Sequence, residues 1–168
     1  MKTLLLLRHA KAKRNGWDDY ERPLAKRGKR DAPRIGQLVE QLDLTPDLIV
    51  SSGAKRAVQT ARLAAKASGH EGIVMLSEAL YFSGPEAHLD VLRRLPDDAE
   101  VVMLVGHNPT FEELVEVLTG EEVTMPTASL AHIEMDISSW FEADAMTGRL
   151  KDVYYPPAPG EDERASEP

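Results

Sequence analysis

Four short stretches of this 168-residue chain carry side chains suited to chemistry, and each lies at the end of an apolar run. Arg8-His9 follows residues 3–7. Ser51-Ser52-Gly53-Ala54-Lys55-Arg56 closes the run 48–51, Ser77-Glu78 follows 73–76, and Gly106-His107-Asn108-Pro109-Thr110 follows 101–105. Two guanidiniums, each able to donate two parallel hydrogen bonds, match the oxygens of a phosphate. A neutral imidazole is a competent nucleophile, and transient phosphorylation of histidine divides one hard displacement into two easier ones. No carboxylate cluster suited to magnesium is apparent, so cationic side chains would have to neutralise a transferring phosphoryl group. Taken singly, each feature is ordinary. An Arg-His pair can be a surface ion-pair partner, Gly-His-Asn-Pro a turn before a helix, and Glu78 a solvated carboxylate. Their recurrence after four successive apolar runs gives them weight together.

The elements that must position these residues follow from periodicity. Residues 3–7, 48–51, 73–76 and 101–105 are short and apolar on both sides, as strands covered on both faces of a parallel sheet would be. The run 130–135 alternates polar and apolar residues and reads as antiparallel or half exposed, and 149–155 reads as an edge strand. Between them lie helices. Ile35, Leu38, Val39 and Leu42 form one stripe, with Asp31 as cap, Pro33 in the first turn and residues 24–28 as a separate turn. Residues 54–67 are Ala-rich, Pro85 opens a third helix, and Pro109 opens a fourth that Gly120 stops. The expected fold is a single-domain three-layer α/β/α sandwich around a mostly parallel sheet. Its ligand site lies beyond the carboxyl ends of the strands, where the helix N-termini at Ala54 and Pro109 add donors for an anion. His70, His88 and His132 fall on a loop, a helix surface and a strand face and have no chemical partner in the pattern.

Composition narrows the classes of function. Hydrophobic residues make up 42% and charged residues 29%, and there is no cysteine, which removes disulfides and thiol nucleophiles. The longest purely apolar run, residues 101–105, is far short of a membrane span, and Arg8 interrupts the only N-terminal apolar stretch, so a cytoplasmic location is the expectation. The net charge of −8 conceals an asymmetry: residues 1–34 carry +7 and the remainder −15. That distribution argues against a broad nucleic-acid surface and suits a small anion held at one place. Residues 1–155 form the expected domain, and the acidic, Pro-containing tail 156–168 is expected to be disordered.

Leu7-Arg8-His9-Ala10-Lys11, the stretch Arg22-Pro23-Leu24 with Gly28, Ser51-Ser52 with Lys55-Arg56-Ala57 and Gln59-Thr60-Ala61, and Val105-Gly106-His107-Asn108-Pro109 resemble the histidine phosphatase superfamily. This is its phosphoglycerate-mutase-like branch, and the Arg-His-Ala-Lys start with the short chain resembles the SixA-type phosphohistidine phosphatases. The resemblance implies the phosphoglycerate-mutase-like fold, with His9 as a transiently phosphorylated nucleophile. It implies that Arg8 and Arg56 clamp the phosphoryl oxygens and that His107 donates to one of them. Glu78 stands where relatives that cleave phosphoesters keep their proton donor. Arg22 and Asn108 are further candidates for substrate contact. No cofactor or metal is implied. Ala10 and Lys11 replace the Gly-Glu pair of the mutases, and the short chain leaves little room for their substrate-enclosing insertions. The expected substrate is therefore a phosphorylated protein, such as a histidine-phosphorylated signalling or phosphorelay domain. A phosphatase for a small phosphorylated metabolite and a catalytically silent phospho-binding module are the competing readings. The complete set of Arg8, His9, Arg56 and His107 disfavours the last, since binding requires no nucleophile.

Overall fold

The computed structural model describes residues 1–156; the expectation for the tail falls, apart from Pro156, outside the described residues. Six strands form one sheet: β1 (Lys2–Arg8), β2 (Leu48–Ser51), β3 (Val74–Leu76), β4 (Val101–Gly106), β5 (Leu130–Met135) and β6 (Gly148–Tyr154). Their order is β3-β2-β4-β1-β5-β6; the first four are mutually parallel, while β5 and β6 are antiparallel to their neighbours. Helices α1 (Lys26–Gln41) and α2 (Lys55–Ser68) cover one face; α3 (Pro85–Arg93) and α4 (Thr110–Thr119) cover the other. This is the expected α/β/α sandwich.

Strand β1 illustrates why both faces are dry. Leu4 and Leu6 enter the cluster under α3 and α4, and Leu5 and Leu7 enter the cluster under α1 and α2. A period of two with leucine at every position buries both faces. Gly36 lets α1 approach α2 closely, since a Cβ there would stand 2.5 Å from the Ala64 carbonyl oxygen.

Four expectations are corrected. β3 is not covered on both faces: it is the sheet edge, with Met75 and Leu76 about half exposed and Ile73, just before the strand, 82% exposed. Residues 24–28 are not a separate turn, because α1 already begins at Lys26 and runs through Pro33. Asp31 is therefore a buried side chain paired with Arg27 at 3.4 Å, not a cap. Tertiary contact outweighs the proline: Ala25 N–H donates to the Lys11 carbonyl at 2.8 Å, and Gly28 packs so closely on that carbonyl that a Cβ would lie 2.2 Å from it. His88 does not lie on the helix surface either. It is buried, with its ring edge-on to Phe111 at 5.9 Å and Nδ1 donating to the Gly84 carbonyl at 3.0 Å.

Candidate active site

Neighbouring strands β1 and β4 send the chain to opposite faces of the sheet, β1 toward α1 and β4 into α4. A crevice opens at such a switch point, beyond the carboxyl ends. His9 and His107 line it, with ring centroids 5.2 Å apart. The backbone holds His9 from both sides: its N–H donates to the Gly106 carbonyl at 3.0 Å, and its carbonyl accepts from Ala128 N–H at 3.0 Å. Gly106 is required locally, since a Cβ there would stand 2.8 Å from the Phe111 ring.

The hydrogen bonds fix the tautomers. His9 Nδ1 faces the Ala10 carbonyl at 2.8 Å, which can only accept, so the proton sits on Nδ1 and the lone pair on Nε2. Burial holds the His9 pKa down at about 4; the Ala10 bond opposes this, and the charges of Arg56, Arg8 and Arg22 reinforce it. His107 Nδ1 accepts from Arg56 at 3.4 Å, so its proton is on Nε2, which donates to Ser52 Oγ at 2.9 Å. Burial, then the neighbouring His9 and Arg56, lower His107 to about 3. Both imidazoles are neutral at pH 7.

Each arginine is anchored at one end and open at the other. Arg56, in the first turn of α2 and 2% exposed, donates to the Asp19 carbonyl at 2.7 Å and to Asp19 Oδ2 at 3.1 Å. Arg8 donates from one terminal nitrogen to the Met125 carbonyl at 2.9 Å. The Nε–H of each is buried and has no hydrogen-bond partner among the described residues. Buried donors of this kind are rare in folded proteins and mark a place for an acceptor.

Arg8, His9, Arg56 and His107 thus come together. Glu78 lies at the rim, where Tyr20 Oη donates to its Oε1 at 2.6 Å. That bond sits directly over the β2–α2 turn: a Cβ on Gly53 would stand 2.0 Å from Glu78 Oε1 and 2.2 Å from Tyr20 Oη. Arg22 is turned to other partners, pairing with Asp19 at 3.1 Å and donating to the Lys13 carbonyl. Asn108 gives its Nδ2 to the Met125 carbonyl at 2.7 Å, while its Oδ1 is buried without a partner among the described residues.

Several residues at the site escaped sequence reasoning. Asp19 ties together Arg56, Arg22 and Tyr81, whose hydroxyl donates to Oδ2 at 2.7 Å. Burial opposes ionisation of Asp19, but Tyr81 and the two arginines prevail and lower its pKa. The Asp19/Arg22 spacing of three was the available signal. Met125 contributes a backbone carbonyl, which no side-chain pattern reveals. Glu112 Oε2 accepts from Met125 N–H at 2.7 Å and so fixes that carbonyl.

Comparison with known proteins agrees with this geometry. The family model of the histidine phosphatase superfamily, branch 1, matches residues 4–79. An uncharacterized chloroplastic protein of Arabidopsis thaliana is 33% identical over 159 residues, spanning 86% of this chain and 72% of that protein. The chain belongs to the histidine phosphatase superfamily. Among solved structures, this family member is similar to the Agrobacterium tumefaciens protein assigned as phosphohistidine phosphatase SixA. The TM-score is 0.78 at 30% identity, covering 92% of this chain and 98% of that one. The SixA assignment in Nakamurella multipartitia superposes equally well, with TM-score 0.78, 28% identity and coverage of 94% and 97%. The family's chemistry is that of phosphatases acting on phosphorylated substrates. No helix among the described residues is long and apolar enough to cross a membrane.

Proposed function

We propose that this phosphatase removes the phosphoryl group from protein phosphohistidine through a covalent intermediate on His9. The observation that carries the reading is the pair of buried arginine Nε–H groups without a partner among the described residues, beside an imidazole whose Nε2 carries the lone pair. His9 Nε2 attacks phosphorus, the bond to the leaving group breaks, and water then displaces the phosphoryl group from Nε2. Arg8 and Arg56 take up the charge of the equatorial oxygens, and the N–H on His107 Nε2, now given to Ser52, is the further donor. These cations act where other phosphoryl-transfer enzymes place magnesium.

A protein substrate is supported by exposed aromatic side chains and by the likeness to SixA over nearly the whole chain. Trp17 and Phe82 are 47% and 65% exposed. The carboxyl of Glu78 above Gly53 favours a second reading, hydrolysis of phosphate esters in small metabolites, with the same core.

Rapidly quenched enzyme should carry phosphate that survives alkali and is lost in acid, as phosphoramidates do. An acid-stable adduct would transfer the nucleophile's role to Ser51 or Ser52. Rates on a histidine-phosphorylated protein and on a metabolite panel, with His9→Ala as blank, separate the two substrate classes. A wild type no faster than His9→Ala on a chromogenic phosphate ester would leave only phospho-binding.

A further inference from the structure

The described surface offers an apolar groove between β3 and α3 and an acidic hollow at Glu112, Glu113, Glu116 and Glu122, yet nothing in either identifies an occupant. The rim of the active site carries more. Two hydrogen bonds cross there between the turn Asp19–Glu21 and the turn Glu78–Leu80: Tyr20 donates to Glu78, and Tyr81 donates to Asp19. The two tyrosine rings meet edge to face at 4.9 Å, and Tyr81 continues to His107 at 5.5 Å. Asp19 is in turn held by Arg56. Among the described residues, Tyr20 is thus the link in this lattice that reaches the Glu78 carboxyl by a hydrogen bond.

We propose that Tyr20 is a positioning residue that holds the Glu78 carboxyl over Gly53 for proton transfer to basic leaving groups. The inference rests on the reading of Glu78 as the donor for ester cleavage. Three observations support it. Glu78 is exposed, and an exposed glutamate carries considerable rotamer freedom, so an unrestrained carboxyl would visit the leaving-group position only part of the time. The Tyr20 bond is short, at 2.6 Å, and Gly53 leaves the space in which it forms. Tyr20 keeps its proton throughout, because the bond to Glu78, followed by burial, raises its pKa to about 12. Its hydroxyl is therefore always the donor to Oε1, and Oε2 is the oxygen available to the substrate.

The proton accounting is closed. In the first step His9 Nε2 forms a bond to phosphorus, the P–O bond to the leaving group breaks, and the departing oxygen takes the proton from Glu78 Oε2. In the second step water attacks phosphorus, its proton passes to Glu78 Oε2, and the electron pair of the P–N bond returns to His9 Nε2. Glu78 ends as it began. An alkoxide depends on this proton far more than 4-nitrophenolate does, and general acid catalysis is worth ~10²–10⁴-fold.

The experiment compares kcat and KM of wild type, Glu78→Gln and Tyr20→Phe on 4-nitrophenyl phosphate and on phosphoserine. Tyr20→Phe keeps the ring and its contact with Tyr81, so folding is retained. We expect Glu78→Gln to lose at least tenfold more kcat on phosphoserine than on the nitrophenyl ester. Tyr20→Phe should show the same selectivity, about five- to thirtyfold, in kcat, with KM for phosphoserine within about twofold; a share of the full acid contribution is lost because the carboxyl remains but is no longer held. If Glu78→Gln is selective and Tyr20→Phe is not, the positioning role is overturned while the donor reading stands. If Glu78→Gln is itself unselective, the donor reading falls and the proposal falls with it. A Tyr20→Phe effect confined to KM would also overturn it, since that is loss of substrate contact.

Discussion

Two neutral imidazoles buried beside two arginines make the stability of this protein sensitive to mild acid. His9 titrates at about 4 and His107 at about 3 in the folded chain, against ~6.5 when unfolded. Both folded values are depressed, so between pH 6.5 and 4 the unfolded chain binds protons that the folded chain refuses. Stability is therefore complete above pH 6.5 and falls as the pH is lowered toward the folded values. At pH 5 each histidine alone favours unfolding by about 2 kcal/mol. Neither folded ring takes a proton at that pH, so the two add to about 4 kcal/mol, a large fraction of the ~5–15 kcal/mol that holds a domain together. Trp140 is fully buried and reports unfolding by fluorescence. Urea titrations at pH 7.5 and 5.0 should show wild type losing about 4 kcal/mol more than a His9→Asn, His107→Asn double variant, whose replacements cannot take a proton. All other titrating groups are common to both proteins and cancel. An equal loss in the two proteins would refute the reasoning. The same depression places the acid limb of kcat/KM near pH 4, well below the range of free imidazole.

Three further outcomes can be measured directly. Arg56→Lys keeps the charge but gives up the planar fork that Asp19 anchors and the Nε–H beside His9, so kcat/KM should fall by about a hundredfold or more, a loss of ~3 kcal/mol in transition-state binding; a loss under fivefold would show that charge alone suffices. A chelator should leave the rate within a factor of about two, whereas inactivation reversed by magnesium would contradict the charge balance assigned to Arg8 and Arg56. Ser52→Ala leaves the His107 Nε2–H buried without its acceptor and should cost ~1–3 kcal/mol of stability while the acid-labile adduct still forms; loss of the adduct would make Ser52 the nucleophile.

The strands and the residues at their carboxyl ends were legible because both rest on local pattern. Leucine at every position of residues 4–7 reads as a strand buried on two faces, and its side chains do enter both clusters. The same logic misjudged β3, where an apolar run identifies a strand but says nothing of its place in the sheet; order depends on which neighbours arrive later in the chain. The start of α1 was misread for a similar reason. Pro33 carries a local penalty, and the contact of Gly28 with the Lys11 carbonyl that overrides it is nonlocal. At the site, the side chains proposed as catalytic follow strand ends and announce themselves. Their anchors do not: the Met125 carbonyl has no side-chain signature, and Tyr20 meets Glu78 only because two turns 58 residues apart fold over the same glycine.

The place of β4 has a consequence for how the enzyme comes into being. It lies between β2 and β1, although it follows both by roughly fifty and a hundred residues of chain. Until residue 106 has left the ribosome, the first two strands have no common neighbour, and the backbone N–H of His9 lacks the Gly106 carbonyl that receives it. The keystone of the sheet is thus also the piece that closes the site. A nascent or proteolysed chain ending before β4 lacks both the strand that joins β1 to β2 and the carbonyl that holds His9.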